Sequence, residues 1–126
     1  MPPDMPAQVL RPSPADEYLT PERCSILELL NVADDPAVSV AQARVEPGVQ
    51  TIPHRVVGTI ERYVILAGRG RIDIDGLPEQ EVTVGDVVVI PAGVRQSIHN
   101  VGAAELVFLC ICSPRFEWSN YESLGD

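Results

Sequence analysis

The chain of 126 residues contains no lysine, and all nine of its basic residues are arginines. That absence excludes a Schiff base on a lysine, a pyridoxal-phosphate anchor and the phosphate-binding lysine of a P-loop. Histidine is scarce as well. His54 and His99 are the only two, and they are the only side chains that change charge near neutral pH without perturbation. Aromatics amount to 5% of the residues, and no apolar run approaches the roughly 18 residues of a membrane-crossing helix. The N-terminal stretch has no positive segment followed by an apolar one, so it does not read as a secretory signal. Positive charge is in the minority: eighteen acidic residues bring the formal net charge to −9. That balance disfavours non-specific attraction to nucleic acid or to an anionic membrane. A cytoplasmic protein with neither kind of partner is expected. Three cysteines, Cys24, Cys110 and Cys112, match no zinc spacing and no even disulfide framework. Cys110 and Cys112 stand two apart on one strand face. They read either as buried small hydrophobes in a reducing compartment or as a redox or metal pair.

What is present is β-like. Hydrophobic residues make up 45% of the chain, Val and Ile are prominent, and the length fits one domain with one core. Pro2, Pro3, Pro6, Pro12 and Pro14 are too closely spaced for a helix or a central strand. Residues 1–24 therefore read as an N-terminal arm, with a short helical turn over 20–24 capped by Thr20. From residue 25 to 115, short β-branched runs alternate with Gly, Pro and Asp turns. Strands are expected within 25–31, 37–46, 60–68, 69–76, 79–84, 85–93, 95–102 and 105–112, the pattern of an antiparallel sandwich or barrel. Residues 116–126 form a tail with room for one short helix around 117–124. The central strands are apolar on both faces, so one face covers an interior and the other needs a second sheet or subunit. A twofold homodimer joined through a sheet face is expected, with residues 25–31 available to extend the partner's sheet.

Two segments carry a resemblance. Gly48, His54, Val56, Glu61 and Gly68 stand at the spacing G-x5-H-x-H-x(3,4)-E-x6-G. Gly85, Pro91, Gly93, Gln96 and Asn100 stand at G-x5-P-x-G-x2-H-x3-N. These are the two motifs of the cupins, and the chain resembles a small bacterial single-domain cupin from about residue 25 onward. The resemblance implies an all-β double-stranded β-helix, a jelly-roll barrel whose mouth is a small-molecule pocket. The glycines have their own reason: Gly48, Gly68, Gly85 and Gly93 fall at strand ends, where positive φ or close backbone approach is needed. Pro91 is expected to start a strand.

In metal-binding cupins, three histidines and one glutamate hold Fe, Mn, Ni or Zn. At those positions this chain has His54, Val56, Gln96 and Glu61. Val56 cannot ligate, and Gln96 offers only a neutral carbonyl oxygen. His54, Glu61 and Gln96 can form a weak three-point site for one divalent ion. Alternatively they form a hydrogen-bonded polar cluster at the pocket floor, with no metal. Period two places His54 with Val56 and Gln96 with Ile98, and turns His99 outward. Glu61 brings Tyr63 inward with it, as a ligand-orienting hydroxyl, an acid or a core aromatic. The same alternation places Ile60, Val64, Leu66 and Val88 away from the pocket. Arg44 can hold a ligand carboxylate or phosphate, or pair with Glu46 on a solvated face. Arg62, Arg69, Arg71 and Arg95 read as surface charge, and Trp118 and Tyr121 as a cap on a barrel end or a dimer contact.

Three functions follow. The first is a barrel that binds a small polar or aromatic molecule, metal-free or weakly metallated, through His54, Glu61, Tyr63, Gln96 and Arg44. The second is a metal-dependent, non-redox isomerase or lyase acting on a carbohydrate-like or organic-acid substrate, with His54, Glu61 or Tyr63 as the catalytic candidates. The third is a structural or regulatory subunit, for which no helix-turn-helix is present. Oxygen activation is disfavoured by the single inward histidine.

Overall fold

A computed structural model describes residues 5–125. Nearly all regular structure is β, as the punctuation of short β-branched runs requires. The strands are β1 (Tyr18–Leu19), β2 (Ser25–Leu30), β3 (Ser39–Val45), β4 (His54–Val56), β5 (Ile60–Ala67) and β6 (Arg69–Ile74). They are followed by β7 (Gln80–Thr83), β8 (Val87–Ile90), β9 (Gln96–Asn100), β10 (Leu106–Ser113) and β11 (Tyr121–Ser123). They form two antiparallel sheets, ordered β1-β2-β3-β10-β5-β8 and β11-β4-β9-β6-β7. This is the expected double-stranded β-helix. Ile65, Ile90, Ile98, Leu106, Val45 and Phe108 fill the space between the sheets, all but inaccessible to solvent.

Strict alternation builds the interior. Along β5, Glu61, Tyr63 and Ile65 are buried while Ile60 and Leu66 are exposed and Val64 is half-buried. Val88 departs from the expectation. It sits directly opposite Tyr63, and residues facing one another across an antiparallel pair share a face. Val88 is therefore core, and Val87 and Val89 point outward. His99 is outward as expected, opposite Arg71 and half-buried.

Gly48, Gly68, Gly85 and Gly93 all have positive φ. At Gly68 the demand is double: φ is +85°, and a Cβ would come within 2.5 Å of the Glu105 carbonyl oxygen. Only glycine lets β5 turn into β6 against β10 there. Pro91 does not start a strand. It follows β8 and opens a turn in which its carbonyl accepts from the Val94 amide.

The arm and the tail join the sheets. Residues 20–24 form a tight turn rather than helix: the Arg23 amide donates to the Thr20 carbonyl, and Arg23 takes φ +75°. This turn closes the β1–β2 hairpin. β2 pairs with the chain's own β3 and is flanked on its other side by β1, so residues 25–31 are not free to extend a partner's sheet. The helix expected around 117–124 is a single 3-10 turn, Trp118–Asn120, followed by β11. Tyr121–Ser123 pair with β4, and those backbone bonds displace a helix whose register has no apolar face to bury. Pro2 and Pro3 lie outside the described residues.

Candidate functional site

One cavity of about 50 Å³ opens at the end of the barrel where His54 lies. It exceeds severalfold the roughly 10–15 Å³ that a single water requires. All six aromatic residues of the chain line it: Tyr18, Tyr63, Phe108, Phe116, Trp118 and Tyr121. So do the three cysteines, His54, and the carboxylates of Glu22, Glu28 and Glu61. Among the described residues, no arginine is in the lining.

The floor follows from the register of two strands. The β4–β9 pair sets His54 opposite Gln96, and β5 brings Glu61 and Tyr63 in from the other sheet. Gln96 Nε2 donates to Glu61 Oε1 at 2.8 Å, and the Tyr63 hydroxyl donates to Gln96 Oε1. Cys112 Sγ lies 3.8 Å from Glu61 Oε2 as a weak donor. Glu61 and Gln96 thus share a face, as the motif spacing requires. Gln96 itself lies behind the cavity wall, 1% exposed, and reaches the cavity only through Glu61 and Tyr63. Burial raises the Glu61 carboxyl above the ordinary carboxylate range, opposed by His54 and by the Gln96 amide. Burial also pushes the Tyr63 hydroxyl well up, with the Glu61 charge adding to it.

His54 is fixed from one edge. Its Nδ1 lies 3.0 Å from the Ile52 carbonyl oxygen, which can only accept, so Nδ1 carries a proton. In the neutral ring Nε2 is then the bare nitrogen, free to accept a donor. The ring of Tyr121 stacks on His54 at 5.1 Å.

Glu22 is the residue that sequence reasoning missed. It stands in the turn closing the β1–β2 hairpin, which folds across the barrel end. Its Oε2 lies 3.2 Å from His54 Nδ1, yet that nitrogen's proton points to Ile52. Glu22 Oε2 is thereby buried with no hydrogen bond, while Oε1 accepts from Cys24 Sγ at 3.1 Å. Nothing local in the segment TPERC signals this position; it arises from the fold-back of the hairpin.

Arg44 lies elsewhere. On β3, Ser39, Ala41 and Ala43 face the cavity, so Arg44 points to the outer surface. There it binds Glu17 and Glu105, and Glu46 at 3.1 Å. Its place as a ligand-binding residue of the cavity is corrected by that alternation. Arg69 meets Glu81, Arg71 meets Glu79, and Arg95 meets Asp73 and Asp75, all on the surface. Arg62 donates to Ser113 Oγ at 2.7 Å. Cys24, Cys110 and Cys112 are free and buried, and burial above all raises each thiol. Such thiols are poor nucleophiles and poor metal ligands.

The matches to known proteins agree with this architecture. Residues 41–112 match the family model described as Cupin_2, a cupin domain. The chain belongs to the cupin family. It is 34% identical over 109 residues to the uncharacterized protein MJ1618 of Methanocaldococcus jannaschii, covering 85% of this cupin and 86% of that protein. Among solved structures it is similar to a predicted oxalate decarboxylase of Thermotoga maritima. That likeness has a TM-score of 0.74 and 25% identity, over 85% of this chain and 99% of the other. Pac13, described as a unique nucleoside dehydratase, superposes with a TM-score of 0.75 at 13% identity, over 94% and 92% of the two chains. At that identity the likeness to Pac13 is one of fold.

Cupins commonly hold a divalent metal at the positions of His54, Val56, Glu61 and Gln96. The residues present here do not fit it. The Gln96 carbonyl oxygen, its only ligating atom, accepts from Tyr63, and its amide nitrogen faces Glu61. Val56 stands where a second histidine is needed. Among the described residues, no group of three or more His, Cys, Asp or Glu side chains is placed to hold an ion.

Proposed function

We propose that this cupin binds a small molecule in the barrel cavity and does so without a resident metal. The observation that supports it is the use of Gln96: both ends of its amide are committed within the protein, to Tyr63 and to Glu61. A ligating position has become a strut. It fixes the wall of a pocket that is otherwise apolar and aromatic, with a few convergent polar groups, as small-molecule sites are. His54 Nε2 and the Glu22 and Glu28 carboxylates are among the polar groups left to meet a ligand. Three free, buried cysteines suit a reducing compartment, and we place the protein in the cytoplasm on that ground.

The two solved structures named above carry enzyme names, and the second reading takes its chemistry from His54. With Nδ1 held by the Ile52 carbonyl and Glu22 beside that same nitrogen, the neutral ring leaves Nε2 bare and equipped to carry a proton in an isomerisation or elimination. That reading needs turnover that His54→Ala abolishes.

The binding reading is tested by chelation. Treatment of protein purified without a histidine tag with a strong chelator is expected to leave its melting temperature unchanged. The double variant Val56→His, Gln96→His rebuilds three histidines and should acquire a transition metal and a chelator-sensitive melt. A chelator-sensitive melt in the natural protein overturns the metal-free part of the proposal.

A further inference from the structure

The charge and shape of the cavity say more about its occupant. We infer that the ligand is a small organic cation, an amine or quaternary ammonium on an apolar body, seated between Glu22 and an aromatic rim. This rests on the reading of the barrel as a binding module and specifies what it binds.

Three observations converge. First, the cavity draws three carboxylates, Glu22, Glu28 and Glu61, and not one of the chain's nine arginines. A ligand carboxylate or phosphate entering here meets like charge with no fork to receive it, which costs affinity. Second, Glu22 Oε2 is buried without a hydrogen bond. An acceptor left unpaired in a desolvated site is costly, and an N–H or ammonium group from the ligand removes that cost. Third, the mouth is an aromatic enclosure. Trp118 stands edge-on to Phe116 and to Tyr121, at 5.0 Å from each, and its indole N–H donates to the Tyr18 hydroxyl at 3.3 Å. Ring faces attract a cation through their quadrupole, most strongly where water is excluded, and cages of this kind serve quaternary ammonium groups.

The elements that build this mouth come from opposite ends of the sequence. Tyr18 and Glu22 belong to the β1–β2 hairpin, whereas Phe116, Trp118 and Tyr121 belong to the segment leading into β11. A chain poor in aromatics has gathered every one of them at a single cavity, and four stand at its rim. Packing of the core alone gives no reason to keep Tyr18 and Trp118 about 40% exposed there.

The test is calorimetric titration of the full chain with probes of matched shape and different charge: benzylammonium, benzyl alcohol and benzoate, and choline against 3,3-dimethylbutan-1-ol. Benzylammonium should bind about tenfold more tightly than benzyl alcohol, the worth of a desolvated cation–π contact plus a charged hydrogen bond. Choline, which has no N–H, should exceed its isostere through the cation–π contact and the nearby negative charge alone, and benzoate should not bind. Glu22→Gln, which keeps size and hydrogen bonding, should weaken benzylammonium about tenfold while leaving benzyl alcohol within about twofold. Trp118→Phe should weaken choline more than its isostere. Binding of benzyl alcohol or benzoate as tightly as benzylammonium overturns the cationic ligand and leaves the binding module standing. Failure of every probe at millimolar concentration overturns both.

Discussion

At the scale of the residue, Glu61 is the most exposed to test. Burial is the largest influence on its carboxyl and raises it, so in the window between its unfolded and folded values the folded protein binds more protons than the unfolded chain. Stability from this group is therefore intact below the ordinary carboxylate value and is lost as pH rises through the raised one. Glu61→Gln should flatten that fall, gaining on the natural protein as pH increases and losing the advantage in acid. Urea unfolding across about pH 4.5 to 9 checks it, and identical pH slopes in the two proteins would contradict it. Tyr63→Phe removes the donor that occupies Gln96 Oε1. It should cost about 1–3 kcal/mol, the penalty of a buried acceptor left unpaired, read from the shift in denaturation midpoint. Four of the residues at or behind the cavity wall were legible in the sequence: His54, Glu61, Tyr63 and Gln96 follow from motif spacing and period two. Glu22 was not, because a carboxylate beside a proline in a turn carries no mark of what the turn will fold against. For Arg44 the sequence left two faces open, because alternation fixes which neighbours share its face but not which face is interior; the structure takes the pairing with Glu46 on the outer face and not the ligand-binding one.

At the scale of the element, the long strands announced themselves and the short ones did not. β5 and β10 are eight residues each with alternating burial, and their β-branched runs identify them without a partner. β1 and β11 are two and three residues long and mostly exposed. They exist because β2 and β4 present open edges, so only tertiary pairing specifies them. Both matter to the site, since they carry Tyr18 and Tyr121. Val88 shows the same limit from within a strand. In a run of three valines the pattern is apolar everywhere, and only the pairing with Tyr63 decides which one is core. The passage from β5 to β6 hangs on Gly68. Gly68→Ala imposes an unfavourable φ and a 2.5 Å approach to backbone, so a loss of about 2 kcal/mol or more is expected by chemical denaturation. Gly48→Ala, with the same sign of φ but open space around it, should cost less. Equal losses at the two positions would show that the contact with Glu105 does not matter.

At the scale of the whole molecule, the β5–β8 side of the outer face of the six-stranded sheet carries exposed apolar side chains, with Arg62 among them opposite Val89. Val87 and Val89 are more than half exposed and Leu66 is 43% exposed, on strands β5 and β8 that lie side by side. We propose that a second copy covers this face by twofold symmetry, the arrangement that lets one apolar patch bury against itself. Light scattering at micromolar concentration should give a dimer mass, and Val89→Asp should shift it toward the monomer; a monomer mass for the natural protein contradicts the proposal. Among the described residues, no helix is long and apolar enough to cross a membrane. In the barrel's interior we propose that ligating positions have become a hydrogen-bonded wall around a metal-free pocket. Elemental analysis of protein purified without a histidine tag tests it most directly. Zn, Mn, Fe and Ni are each expected far below one equivalent per chain, and close to one equivalent of any of them would contradict the metal-free pocket.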